Sequence, residues 1–284
     1  MSRAATVALA QVNGVLYEPE ENRSRTLAAA ARLFEDGADI VVLPELIASG
    51  YGTDGAGLNE AAEPVDGPTT QAWGQLAARH GGLIVGGICE RDRDALYNAA
   101  VLVGEGGVLL HYRKLHLFRT EKDTFTAGDL GLPVAETRFG VIGLCVCYDL
   151  RFVETVRALA LKGAELVCVP TAWLPGFDRE RSDEEGYAPQ ARGALLQANL
   201  DQTFIACASQ AGDNGEADFL GSSVLCDPYG KTVLGPLPPD REQLAAATVD
   251  LDQVDRAHAR DTLINPQADR RTDVYGLAVD GVVL

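Results

Sequence analysis

Three side chains of this 284-residue chain stand where chemistry is easily done. Cys147 ends the apolar run Val141-Ile142-Gly143-Leu144-Cys145-Val146-Cys147, and Tyr148-Asp149-Leu150-Arg151-Phe152 leads from it into a helical pattern. Glu45 ends another such run after Leu43-Pro44, and Lys114 ends a third after His111-Tyr112-Arg113. Runs of that length and branching read as buried strands. A thiol at the carboxyl end of a strand, just before a helix, meets backbone N–H groups that are free to receive an anion. To attack a carbonyl carbon the thiol must lose its proton, and a nearby carboxylate can take it. An ammonium and a backbone N–H, here Lys114 and that of Tyr148, can hold the oxyanion that forms. Amide hydrolysis by a cysteine needs this set. Singly, each residue also has an ordinary reading: Glu45 facing solvent, Lys114 solvated beside Arg113, Cys147 packed in the core.

The elements that must position these residues carry an internal echo. Thr6 to Gln11 reads as a strand and Asn22 to Asp36 as an amphipathic helix, followed by a turn and strand over Gly37-Ala-Asp-Ile-Val-Val-Leu-Pro-Glu45. The second half repeats this: Val141 to Cys147 a strand, Glu154 to Lys162 a helix, then Gly163-Ala-Glu-Leu-Val-Cys-Val-Pro-Thr171. Each half is thus expected to be a right-handed βαβ unit. Further strands are predicted at 83–89, 98–103, 108–113, 204–209, 223–227, 232–234 and 246–251, with a hairpin turn at Gly104 to Gly107. Helices are predicted at 70–79, 189–199 and 252–261. No linker interrupts the pattern, so residues 1–284 are read as one domain. Two mixed sheets with helices outside give a four-layer α-β-β-α sandwich with pseudo-two-fold symmetry, an α/β arrangement. That symmetry brings the strand ends bearing Glu45 and Cys147 to one crevice, where ligands bind in open α/β sheets.

Composition narrows the classes. The chain is 46% hydrophobic and 23% charged, an ordinary globular balance with length enough for a large core. Its net charge of −17 argues against nucleic acid and anionic membranes as partners, since nothing would neutralise phosphates. No apolar stretch reaches the roughly 18 residues of a membrane span, and no signal peptide is visible, so a cytoplasmic location is expected. Six cysteines, at 89, 145, 147, 168, 207 and 226, mostly sit in apolar runs and read as reduced. None has zinc-site spacing, and Cys145 and Cys147, with one residue between them, are expected to point to opposite faces. His80, His111, His116 and His258 are scattered, which disfavours a Cys–His protease. No metal and no cofactor is expected.

Taken with their flanks, the three residues resemble the nitrilase superfamily, the carbon–nitrogen hydrolases. The resemblance runs from Val7 to about Tyr275. It rests on Leu43-Pro44-Glu45, on Tyr112-Arg113-Lys114-Leu115-His116-Leu117 and on Cys147-Tyr148-Asp149-Leu150-Arg151-Phe152, in that order. Val153-Glu154 departs from the family's usual Pro-Glu. The resemblance implies Glu45 as general base, Lys114 as stabiliser of the tetrahedral intermediate and Cys147 as nucleophile. Glu121 matches a second family glutamate that would position Lys114 and substrate. Ala172 and Trp173, after Pro170-Thr171, match a pocket wall, and Tyr51 is placed similarly. The implied activity is hydrolysis of a small aliphatic amide to acid and ammonia. The same residues would also serve an ω-amidase, a nitrilase or an N-carbamoyl amide hydrolase. A non-catalytic scaffold on the same fold is the alternative from another class. An ω-amidase would need a cation for the distal carboxylate, for which Arg179 and Arg192 are candidates. A homodimer or larger homo-oligomer is expected, with the apolar tail, 276–284, crossing to a partner subunit.

Overall fold

The computed structural model describes residues 3–176 and 178–284. The first half runs β1 (Ala4–Gln11), α1 (Pro19–Glu35), β2 (Ile40–Val42), α2 (Gly55–Ala61), α3 (Pro68–His80), β3 (Leu83–Asp92), β4 (Ala95–Gly104), β5 (Gly107–Arg113) and α4 (Glu121–Thr124). The second runs β6 (Val134–Thr137), β7 (Gly140–Leu144), a 3₁₀ turn (Cys147–Arg151), α5 (Val153–Leu161), β8 (Leu166–Thr171), α6 (Pro189–Asp201) and β9 (Phe204–Ser209). A small hairpin, β10 (Ala211–Asp213) and β11 (Asp218–Leu220), precedes β12 (Val224–Cys226), β13 (Thr232–Leu234), β14 (Gln243–Asp250) and α7 (Asp252–His258). The tail forms β15 (Ala278–Val279) and β16 (Val282–Val283). Proline opens α1, α3 and α6, where its fixed φ suits a first turn and its missing N–H costs nothing.

Two six-stranded sheets form, in the orders β14-β1-β2-β3-β4-β5 and β13-β12-β9-β8-β7-β6. In the first, β1, β2 and β3 are parallel, and in the second β7, β8 and β9 are parallel. The flanking pairings are antiparallel. The echoed segments therefore build matching βαβ cores, as their repetition predicts.

Strand alternation divides the core into layers. Val7 and Leu9 of β1 face the second sheet and pack in one cluster with Leu144, Leu166 and Val224. Ala8 and Ala10 face outward against Ala30, Leu33 and Phe34 of α1 and Trp73 of α3. Ala191, Ala194 and Ala198 of α6 and Leu159 of α5 cover the second sheet. Helix, sheet, sheet, helix is the resulting order. Five small pieces escape the hydrophobic pattern: α2, α4, β6, the β10–β11 hairpin and the tail hairpin. In the tail, Leu277, Val279 and Leu284 lie against the chain's own core, while Val282 and Val283 are exposed. Among the described residues no helix is long and apolar enough to cross a membrane.

Candidate active site

Two of the three strands stop earlier than their apolar runs. β2 ends at Val42, so Glu45 lies in the turn beyond it. Its backbone N–H donates to the Thr171 carbonyl (3.2 Å), and the Glu45 carbonyl accepts from the Gln210 side-chain amide (2.9 Å). β7 ends at Leu144, and Cys147 opens the 3₁₀ turn with φ of 44°. The expectation of opposite faces cannot rest on alternation, which would put residues two apart on one face. Cys145 is buried in the core and Cys147 keeps some exposure, but a turn, not a pleat, parts them.

Asp149 makes that turn. It is fully buried, and its Oδ2 accepts from the Val146 N–H (2.9 Å) and the Tyr112 hydroxyl (2.7 Å). Its Oδ1 accepts from the His116 N–H (3.1 Å) and meets His116 Nδ1 (2.8 Å). A carboxylate has lone pairs for four such partners. Asp149 thereby ties the cysteine turn to the segment that follows Lys114. His116 is fixed further by stacking on Phe152, with ring centroids 3.5 Å apart.

Lys114 follows β5 directly, its N–H bonded to the Asn98 carbonyl (2.8 Å). Its buried Nζ donates to Glu45 Oε1 (2.6 Å) and to the Glu121 carboxylate (2.8 Å). Glu121 is held in turn by the Tyr51 hydroxyl (2.8 Å) and the Phe118 N–H (2.9 Å). Asn98 donates to Glu45 Oε1 as well (2.7 Å). Glu45 Oε2 is left buried with no hydrogen-bond partner among the described residues. One oxygen of this carboxylate is thus fixed and the other keeps its lone pairs, as a base requires.

The electrostatics follow from burial. Burial works against the charge on Lys114, but the carboxylates of Glu121 and Glu45 more than offset it and hold the ammonium firmly protonated. Burial raises Glu45, opposed by Lys114 and reinforced by Glu121. Burial also pushes the Cys147 thiol well up, and the Glu45 charge adds to this. Lys114 and the Ala172 backbone N–H, which hydrogen-bonds to the thiol, pull it down. Burial thus works against the charged form of both the thiol and the Glu45 carboxyl.

Cys147 opens on a cavity of about 170 Å³, below the roughly 300–1,000 Å³ of drug-sized pockets. Ala172 and Trp173 line it, as expected of a wall, together with Phe118, Leu150, Val153 and Leu196. Tyr51 does not: it lies behind Glu121, 7% exposed and edge-on to Phe219. Of the two arginines considered for a distal carboxylate, Arg192 is paired with Asp183 and Glu185, and Arg179 is on the surface. Sequence reasoning missed Asn98 and Gln210. A polar side chain inside the apolar strand Ala95–Gly104 is the signal that points to Asn98, because a buried amide demands a partner. Among the described residues no three His, Cys, Asp or Glu side chains are grouped as a metal would need.

Comparison with known proteins agrees with this arrangement. The carbon–nitrogen hydrolase family model matches residues 6–259. A nitrilase of Pyrococcus abyssi is 34% identical over 271 residues, 95% of this chain and 98% of that one. An (R)-stereoselective amidase of a Pseudomonas species is 34% identical over 255 residues, covering 88% and 87%. The crystal structure of an amidase from a Nesterenkonia species superposes with a TM-score of 0.74 at 28% identity, covering 96% of this chain and 95% of that one. Another structure of that amidase carries the acetamide moiety of fluoroacetamide on its active-site cysteine. The chain belongs to the carbon–nitrogen hydrolase family of the nitrilase superfamily, and it is an enzyme acting on carbon–nitrogen bonds.

Proposed function

We propose that this enzyme hydrolyses small, uncharged aliphatic amides to a carboxylic acid and ammonia, through a thioester on Cys147. The carrying observation is Glu45. It is buried, with one oxygen locked by Lys114 and Asn98 and the other without a partner among the described residues, and Cys147 lines the cavity.

Cys147 Sγ attacks the amide carbon as Glu45 takes the thiol proton. The carbonyl π pair moves onto oxygen, held by the Lys114 ammonium and the Tyr148 N–H. The tetrahedral intermediate collapses, the C–N bond breaks, and Glu45 returns its proton to the departing nitrogen, giving ammonia and the thioester. Water, deprotonated by Glu45, then adds to the thioester, and the C–S bond breaks to give acid and free thiol. Glu121 keeps Lys114 oriented through both halves.

An amide is favoured over a nitrile because the cation and N–H are suited to a carbonyl oxygen. A nitrile first gives a thioimidate whose nitrogen must be protonated elsewhere, and among the described residues no group is dedicated to that step. The small cavity supports a short acyl group.

The test is ammonia release from propionamide, propionitrile, an ω-amide and a carbamoyl amino acid in parallel. Propionamide should give the highest kcat/KM, with an acyl adduct on Cys147 by mass spectrometry. A tenfold preference for propionitrile, the ω-amide or the carbamoyl compound overturns the amide reading. No turnover of any substrate favours the scaffold.

A further inference from the structure

Four glycines lie inside α-helices among the described residues, and three of them have a neighbour where a side chain would stand. A Cβ on Gly55 would meet the Thr124 hydroxyl at 3.4 Å, one on Gly57 the Tyr17 ring at 2.7 Å, and one on Gly74 the β4–β5 turn at 3.6 Å. A Cβ on Gly193, in the middle of α6, would meet nothing within 4 Å. Its φ is not positive either. Neither packing nor backbone conformation asks for glycine there, and glycine inside a helix is less favourable than alanine.

The open space belongs to the cavity beside Cys147. Gly193 lines that cavity, and so do Gln190 and Gln197, which stand one turn before and one turn after it on the same face of the helix. This face is fixed against the cysteine turn, because Gln197 Nε2 donates to the Leu150 carbonyl at 2.5 Å. The start of α6 is fixed as well, the Ala188 N–H donating to the Ser222 hydroxyl at 3.0 Å. Gly193 keeps accessible surface, so a molecule in the cavity can touch it. Val153 and Leu196 also line the cavity and are more than half exposed, so it opens to solvent beside them.

We propose that Gly193 determines which acyl chains the enzyme accepts: by carrying no side chain it keeps one side of the cavity clear for the hydrocarbon end of a chain longer than propionyl. This rests on the amidase reading of the same site and names the substrates more narrowly, as amides that include butyramide, valeramide and hexanamide. Phe118, Leu150 and Trp173 make much of the remaining wall apolar, which suits such a chain. A side chain at position 193 would project from a fixed helix into space that the chain needs. No protein atom stands in its way, so the fold would tolerate it and the substrate would not.

The experiment measures kcat/KM for the linear amides from acetamide to hexanamide with the wild type, Gly193→Ala and Gly193→Leu. Apolar burial rewards each added methylene, so the wild type should take valeramide and hexanamide within about tenfold of propionamide or better. Gly193→Leu should lower the ratio of hexanamide to acetamide by at least about tenfold, the low end of what one misplaced methylene costs in an apolar pocket. Gly193→Ala should move the ratio the same way by less. Neither variant should melt below the wild type, since each puts a better helix former into α6. Binding of the same amides to Cys147→Ala, with and without Gly193→Leu, repeats the comparison without chemistry. A length-dependent loss of binding beside a wild type that turns over no amide would sink the amidase reading and leave this inference standing. A ratio unchanged in both variants overturns the inference. So does an equal loss at every chain length, or a wild type that rejects valeramide and hexanamide.

Discussion

The backbone N–H of Glu45 donates to the carbonyl of Thr171 at 3.2 Å. These two residues are the matching last positions of the echoed segments 37–45 and 163–171. The pseudo-symmetric halves therefore touch at the residue that bears the base, and the next residues of the second half, Ala172 and Trp173, line the cavity. Gln210, beyond β9, reinforces the joint by donating to the Glu45 carbonyl. The base is thus held by residues of both halves.

Cys147→Ala should abolish turnover in a folded protein, since the nucleophile is gone and only one heavy atom is lost from a cavity edge. Cys145→Ala should keep activity within a few-fold and cost about 1 kcal/mol of stability from lost packing. Kinetics and urea unfolding of the two variants check this. An active Cys147→Ala would end the nucleophile assignment.

Glu45→Gln should lower kcat/KM by about 10²–10⁴, because an amide cannot accept the thiol proton. No thioester should accumulate on Cys147. The wild-type pH profile carries a further sign. The base must be ionised, and burial raises its pKa. Activity should therefore fall with decreasing pH at a point above the ordinary glutamate value of about 4.3. An acid limb at or below that value would contradict the assignment.

Lys114→Arg should be nearly as damaging as Lys114→Ala, each losing about 10²–10³ in kcat. The ammonium sits between two carboxylates at 2.6 and 2.8 Å with no exposed surface, and a planar, larger guanidinium cannot take that place. Close to full activity in Lys114→Arg would show that charge alone matters.

Asp149→Asn should cost at least about tenfold in kcat and slow alkylation of Cys147 by iodoacetamide. One oxygen cannot serve the partners that two serve now, and the new NH₂ faces donors. Tyr112→Phe removes one of those partners and should do less. A lowered melting temperature with unchanged alkylation would confine Asp149 to stability.

Much of this was legible before the structure. The repeated segments announce two βαβ units because a parallel pair with a helical crossover needs that order of patterns. Proline at the starts of α3 and α6 and the glycines between β4 and β5 mark boundaries closely. The cysteine turn was hidden. Cys145, Val146 and Cys147 are as apolar as a strand interior, and only the capture of the Val146 N–H by Asp149 ends β7 at Leu144. Tyr51, placed at the pocket by the resemblance, has its hydroxyl directed at Glu121, seventy positions along the chain. Long-range partners of this kind leave no periodic trace.

The buried ion cluster has a consequence for salt. Glu45 and Glu121 share one ammonium, so with both carboxylates ionised the site carries a single net negative charge. When the thiol proton moves to Glu45, one negative charge disappears there and one appears on the substrate oxygen. The total is the same before and after attack, and again once ammonia has gone. No ion has to enter or leave the buried cluster, and the distances involved are far shorter than the roughly 8–10 Å over which dissolved ions screen. Turnover of a neutral amide should therefore be almost indifferent to ionic strength, although the protein around it carries a net charge of −17. The many surface carboxylates and the chemistry they surround are electrostatically separate systems.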